Sequence, residues 1–250
     1  MKKSNLILGF LLIYGLFLFL IPFIFPGTII DPNVSITGLV LNIFIIVILF
    51  IIGLYFKLEE SDITTKEISL IAIFSAFVAI SRIPFVAIPS VQPCSFLIFC
   101  AGFVFGPLIG FIIGVNTALI SNIFLGQGPW TVYQMIAWGL IGITAGLLNL
   151  SRKKLPNKYL NSIMGFVWGF LYGWIMNIWF WLMFIQPLTL QSFLLVNVAS
   201  FFFDLAHALS NVIFLYFFGN KTIHLLNRYR QRFEISIEKQ EFSIKICEYL

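Results

Sequence analysis

The sequence predicts an all-α polytopic membrane bundle, and three observations carry that prediction. Apolar residues make up 60% of the 250-residue chain and charged residues only 10%, where a soluble domain carries roughly 25%. Polar surface this scarce does not cover a water-exposed fold, and the mean hydropathy of +1.01 agrees. Apolar runs of about 20 residues recur, each long enough to cross the hydrocarbon core. These runs are uniformly apolar, whereas barrel strands would alternate, so the backbone hydrogen bonds close within helices.

The first span covers residues 6–25 and is ended by Pro26-Gly27. Lys2 and Lys3 precede it as in a signal peptide, but the run is too long for a signal core and lacks a small-residue cleavage site, which predicts a retained helix. A second span covers residues 36–56. The loop from Lys57 to Glu67 is the only strongly charged one in the first half, and this composition shift divides the chain. Residues 1–60 read as a transmembrane helical hairpin, 61–220 as a six-helix membrane core and 221–250 as a basic, solvated tail.

Within the core, the third span starts near Ile68 and ends by Arg82 and Pro84. Its small residues Ser69, Ala72, Ala76 and Ala79 recur at helical spacing as one smooth stripe. The segment 84–93 carries three prolines and is not helical throughout. A short fourth span, 94–105, is turned back by Gly106-Pro107. The fifth covers 108–124, the sixth 132–150, the seventh 163–185 and the eighth 192–218.

Basic residues fall at Lys2/Lys3, Lys57/Lys66, Arg152–Lys158 and the tail. With about eight alternating helices, these clusters share one side, so the positive-inside rule predicts a plasma-membrane protein with both termini cytoplasmic. The loops at 26–35, 84–93, 125–131 and 186–191 are then external, and only Arg82 sits at an outer end. The net charge of +5 is topological rather than a nucleic-acid signal, because it is dispersed in short clusters. Cys94, Cys100 and Cys247 form no CxxC pair and read as buried inert thiols.

Glycines four apart, Gly102 to Gly114 and Gly165 to Gly173, read as helix-packing ladders, since small residues let backbones approach closely in lipid. The loop Gly126-Gln127-Gly128-Pro129-Trp130-Thr131 is followed by Gln134 and Trp138, with Asn116 and Asn122 before it. Amides and indoles bond in fixed geometry, and aromatic faces stack on planar or apolar ligands, so the combination predicts a solute site. An interfacial aromatic belt is the plainer alternative for Trp130 alone. Ser200, Asp204, His207 and Asn211 fall on one helical face. Ionisable residues inside a span face a bundle interior or cavity. A polar clamp and a substrate contact both suit this face, and a proton relay suits it less. Arg82 would neutralise Asp204 if their helices are neighbours. Asn177, among Trp174, Trp179 and Trp181, forms a weaker cluster of the same kind. No GxxxxGKS or GxxxxGKT loop, HExxH metal site or GxSxG turn occurs, which predicts no ATPase, metal centre, cofactor or catalytic constellation in this chain.

Residues 67–220 resemble the S component, the substrate-binding membrane subunit, of energy-coupling factor (ECF) vitamin transporters. The residues carrying the resemblance are Ala72-xxx-Ala76, Pro89-Ser-Val-Gln-Pro93, Phe105-Gly-Pro-Leu-Ile-Gly110 and the block from Gly126-Gln-Gly-Pro-Trp-Thr to Gly142. The resemblance implies a six-helix bundle that binds a vitamin-like molecule near its outer face, Gln92 included in the site. It implies as partners a transmembrane T component, docked on Ala72 and Ala76, and two cytosolic ATPases. The Gly-Gln-Gly-Pro-Trp block is most similar to members linked with cobalamin. The leading hairpin departs from the six-helix pattern. Two other classes stay open at this point: a solitary proton-coupled transporter using Asp204 and His207, and an intramembrane enzyme.

Overall fold

The computed structural model describes residues 3–25, 27, 49, 52–53, 56–57, 59–61, 63–152 and 157–232. Among these residues the chain is helical throughout, with no strand. The second expected span, the first loop, Lys153, Lys154, Cys247 and the end of the tail lie outside the described residues. The helices are α1 (Lys3–Ile24), α2 (Thr65–Arg82), α3 (Cys94–Phe105), α4 (Pro107–Leu125), α5 (Trp130–Arg152), α6 (Lys158–Phe184), α7 (Leu190–Ala199) and α8 (Phe201–Phe214). Five stretches are long and apolar enough to cross a membrane: Thr65–Phe85, Pro107–Leu125, Trp130–Leu150, Lys158–Phe184 and Phe201–Arg232. The chain is a membrane protein built as a polytopic helical bundle.

It divides into two compact units, one made of Met1–Glu67 with Met176–Ser200, the other of Ile68–Ile175 with Phe201–Leu250. In the first unit, Thr64 and Glu67 form the reciprocal bonds of a capping box: the Thr64 N–H donates to Glu67 Oε2 at 2.8 Å and the Glu67 N–H to Thr64 Oγ1 at 3.3 Å. That box starts α2 three residues before the apolar run that marks it in the sequence. A second capping box, Thr189 with Ser192, starts α7. Trp181, Leu188 and Val196 pack together there, and Trp181 Nε1 donates to Ser192 Oγ at 2.8 Å.

The eighth expected span is not one helix. It breaks at Ser200, where φ is −83° and ψ −5°, and the Ser200 hydroxyl donates to Asn197 O at 3.2 Å. Beyond the break the helical path runs to Arg232 through a π-helical turn at Leu215–Gly219.

The second unit is organised around α3. Its 12 residues span roughly 18 Å at 1.5 Å per residue, short of a bilayer core of about 30 Å. All but its last residue are buried. A helix end inside a bundle leaves carbonyls that need donors. Here the Gly106 N–H reaches Gly102 O at 2.9 Å, Asn149 Nδ2 reaches Phe103 O at 2.7 Å, and Arg230 Nη1 reaches Val104 O at 3.0 Å. Arg230, expected in a solvated tail, therefore caps a buried helix.

The glycine ladders pack helices. A Cβ on Gly102 or Gly110 would collide with the Gly142 backbone, and one on Gly114 with the backbone at Trp138, so α3, α4 and α5 meet main chain to main chain. Gly106 is different: it has φ 93° and open space around it, and serves the turn. The second ladder seats α8 on α6. Gly165 faces Asn211 and Leu215, Gly169 faces Ala208, and Gly173 faces the Asp204 carboxylate. The α2 stripe is only partly smooth surface: Ser69 and Ala72 are exposed and Ala76 is half-buried, but Ala79 turns into the core with Ile71, Ser75 and Val78.

Candidate functional site

One polar network occupies the end of the second unit where α2 finishes and α5 begins. α4 supplies its centre. Asn122 is 1% exposed, and each half of its amide is engaged. Its Oδ1 accepts from Arg82 Nη1 at 2.9 Å, and its Nδ2 donates to Thr131 Oγ1 at 2.9 Å and to Gln134 Oε1 at 2.6 Å. Thr131 Oγ1 donates in turn to Gln127 Oε1 at 2.9 Å, and Gln127 Nε2 donates to Leu119 O at 2.9 Å. The loop is thereby tied to the last turns of α4. Arg82 Nη1 also reaches Ser121 Oγ at 3.0 Å.

Arg82 links this cluster to an aromatic one. Its guanidinium lies 5.3 Å from the Trp138 ring centroid, a cation–π arrangement. Trp138 is 1% exposed and donates through Nε1 to Ser95 Oγ at 3.2 Å, and Ser95 Oγ faces His207 Nε2 at 2.9 Å. Tyr172 closes the circuit, with its ring 5.5 Å from Trp138 and edge-on to His207 at 4.7 Å. Buried polar groups left unpaired would cost about 1–3 kcal/mol each, so the hydrogen bonds among these side chains hold the helices in one register. What it presents is a fixed cation, three amides, the hydroxyls of Thr131, Ser121 and Ser95, an imidazole and two aromatic rings, a set suited to holding a polar organic solute.

The sequence-predicted residues are distributed unevenly. Arg82, Asn122, Gln127, Gln134, Trp138 and His207 join this network. Trp130 is half-buried, with its indole folded against Gly128 in its own loop. Gln92 is half-buried in the segment preceding α3, and Asn116 is half-buried on α4. Asp204 is buried one helical turn before His207, its carboxylate against Gly173. The described partners of Arg82 lie on α4 and α5. Asp204, His207 and Asn211 share a buried face of α8, while Ser200 sits at the break before it. Asn177 belongs to the first unit, where its Nδ2 donates to Asn197 Oδ1 at 3.0 Å and to Ser200 Oγ at 2.7 Å. Among the described residues no group of three or more His, Cys, Asp or Glu is placed to hold a metal ion.

Ser95, Ser121 and Tyr172 were not singled out from sequence. Ser95 is the one polar side chain in the apolar run that follows Cys94, a signal of the kind that marks an interior contact in a membrane helix. Tyr172 carries no such signal among the many aromatics of α6.

A family model described as the S component of ECF-type riboflavin transporters matches residues 62–223. Among curated proteins, the UPF0397 protein of Vibrio atlanticus (strain LGP32) is 25% identical over 97 residues, covering 37% of this chain and 53% of the relative. That of Aliivibrio salmonicida (strain LFI1238) is 24% identical over 98 residues, with the same coverage of 37% and 53%. The chain thus spans about half the length of the curated relatives it matches. No solved structure matches it. The expected likeness to cobalamin-linked members finds no support here, because the match is to the riboflavin-type family. With most of its length, from the loop before α2 to beyond the π-helical turn, covered by that model, the chain belongs to the family of ECF-type riboflavin transporter S components, which are substrate-binding subunits of transporters and not enzymes.

Proposed function

We propose that this chain captures a vitamin or related micronutrient at the outer face of the plasma membrane and releases it inward together with a transmembrane T component and two cytosolic ATPases. The observation that carries the reading is the network of Arg82, Asn122, Gln134, Trp138, Ser95 and His207, which gathers polar side chains from five helices at one end of the bundle. Polar groups this deep in a membrane protein are costly and mark substrate pathways. Riboflavin is the first molecule to test, from the description of the family. The distribution of Lys and Arg between spans supports an orientation with this end outside and both termini in the cytoplasm.

The exposed face of α2 fits the docking role. Ala72 is exposed and Ala76 half-buried, flanked by exposed Ile73, Phe77 and Ile80. A partner helix approaches such a face closely in lipid. Residues 1–60 are an addition to the six-helix core under this reading, whereas the helical path beyond 221 packs into it through Ile223, Leu226 and Arg230.

The test is a pull-down from membranes of cells that co-express the chain with a T component and ATPases, combined with tryptophan-fluorescence titration of the purified chain with riboflavin. Stable co-purification and saturable quenching are expected. A chain that purifies alone and gives no quenching contradicts the reading. A reporter in the 186–191 loop should score external, and a cytoplasmic score would reverse the orientation.

A further inference from the structure

Arg82 is more strongly provided with donors than its surroundings can use. Arginine stays ionised under any conditions a protein meets, and its guanidinium carries five N–H donors. Nη1 is shared between Ser121 Oγ and Asn122 Oδ1. Nε is buried and has no hydrogen-bond partner. The acceptors nearby are already engaged: Asn122 Oδ1 by Arg82 itself, Gln134 Oε1 by Asn122, Thr131 Oγ1 by Asn122 and by the Gly128 N–H, and Ser95 Oγ by Trp138. Each of these partners is neutral, as is the Trp138 ring beneath the guanidinium.

A half-buried cation held by neutral partners, with a spare desolvated donor, is an incomplete arrangement. Burying a charge is costly unless it is paired, and the planar guanidinium fork matches the two oxygens of a carboxylate or phosphate. Among the described residues, the hydrogen bonds and ring contact of Arg82 go to Ser121, Asn122 and Trp138. His207 is engaged with Ser95 and Tyr172, and the Asp204 carboxylate lies against Gly173.

Resting on the reading of this end as the solute site, we propose that the substrate carries a carboxylate or phosphate and that Arg82 is the residue that reads it. Arg82 is then the specificity determinant that separates an anionic solute from its neutral counterpart, and an uncharged flavin is the weaker ligand of a flavin pair.

Matched pairs isolate the charge. The purified full-length chain in lipid nanodiscs is titrated by calorimetry with riboflavin and riboflavin monophosphate, nicotinamide and nicotinate, and panthenol and pantothenate. The anionic member of the pair that binds should be tighter by about tenfold or more, as for the loss of one charge-assisted hydrogen bond. R82Q should erase that preference, bringing the affinities of the two members together, and R82K should retain part of it. A neutral member that binds as tightly as its anionic counterpart overturns the assignment to Arg82 and leaves the substrate-binding role standing. An R82Q variant that weakens both members equally does the same. If R82Q fails to fold, the wild-type ratio together with R82K decides. Silence of the wild-type chain across all three pairs overturns this inference and the solute site together.

Discussion

Ser95 Oγ and His207 Nε2 lie 2.9 Å apart although 112 residues separate them in sequence. The same hydroxyl accepts the Trp138 indole N–H at 3.2 Å, so one small side chain joins α3, α5 and α8. Replacing it by alanine leaves the buried indole N–H without its acceptor, at a cost of about 1–3 kcal/mol. S95A should lower the thermal midpoint of the detergent-solubilised protein. In a double-mutant cycle with H207A the two losses should sum to more than the loss in the double variant, because both remove one contact. Strictly additive losses would mean that the pair is not coupled.

Glycine substitutions should sort by what stands opposite. A Cβ at Gly142 meets the backbone of Gly110, which has no rotamer to yield, whereas one at Gly139 meets the ring of Phe111. G142A should destabilise by about 3 kcal/mol, the upper end for overpacking, and G139A by about 1 kcal/mol. Thermal midpoints of the two variants measure the difference, and equal midpoints would contradict the main-chain contact between α4 and α5.

Gln134 and Trp130 should separate as ligand contacts. Gln134 is 5% exposed and bonded to Asn122, while Trp130 rests on Gly128 in its own loop. Q134A should weaken solute binding by about tenfold, the loss of one desolvated hydrogen bond, and W130A by less. Titration of both variants with the tightest solute checks the order, and a larger effect at Trp130 would place the solute against the loop.

Much of this architecture was legible in the chain because membrane helices announce themselves by uniform apolar runs. The α3 boundaries, 94–105, were readable from Pro93 and Gly106-Pro107. The break at Ser200 was not, since 192–218 reads as one apolar run with no proline or glycine at the interruption. In the site, the cluster after Gly126 stood out as polar residues in apolar surroundings, and Arg82 stood out as a lone cation. Their assembly around Asn122 was not legible, because it depends on how α2 and α4 cross. The partners of Arg82 were not legible for the same reason: helical periodicity puts Asp204 on an inward face without saying which neighbour that face meets. Ala79 shows the limit of a stripe, since its place in the small-residue pattern does not reveal that it turns into the core.

The α2 face gives a prediction that separates docking from folding. Ala76 is half-buried beside exposed Ala72, on a face from which Ile73, Phe77 and Ile80 also project. A76W should leave solute binding by the isolated chain nearly intact and abolish co-purification with the T component, since a bulky side chain holds the partner helix away. Loss of binding by the isolated variant would assign the position to internal packing instead.

Reconstituted uptake tests the central claim most directly. The chain is placed in liposomes with and without a T component and its two ATPases, and entry of radiolabelled riboflavin and of riboflavin monophosphate is followed with internal ATP and, separately, with an imposed proton gradient. Accumulation that requires all the partners and ATP is the predicted result. Accumulation by the chain alone, driven by the proton gradient and lost in D204N or H207A, would contradict it.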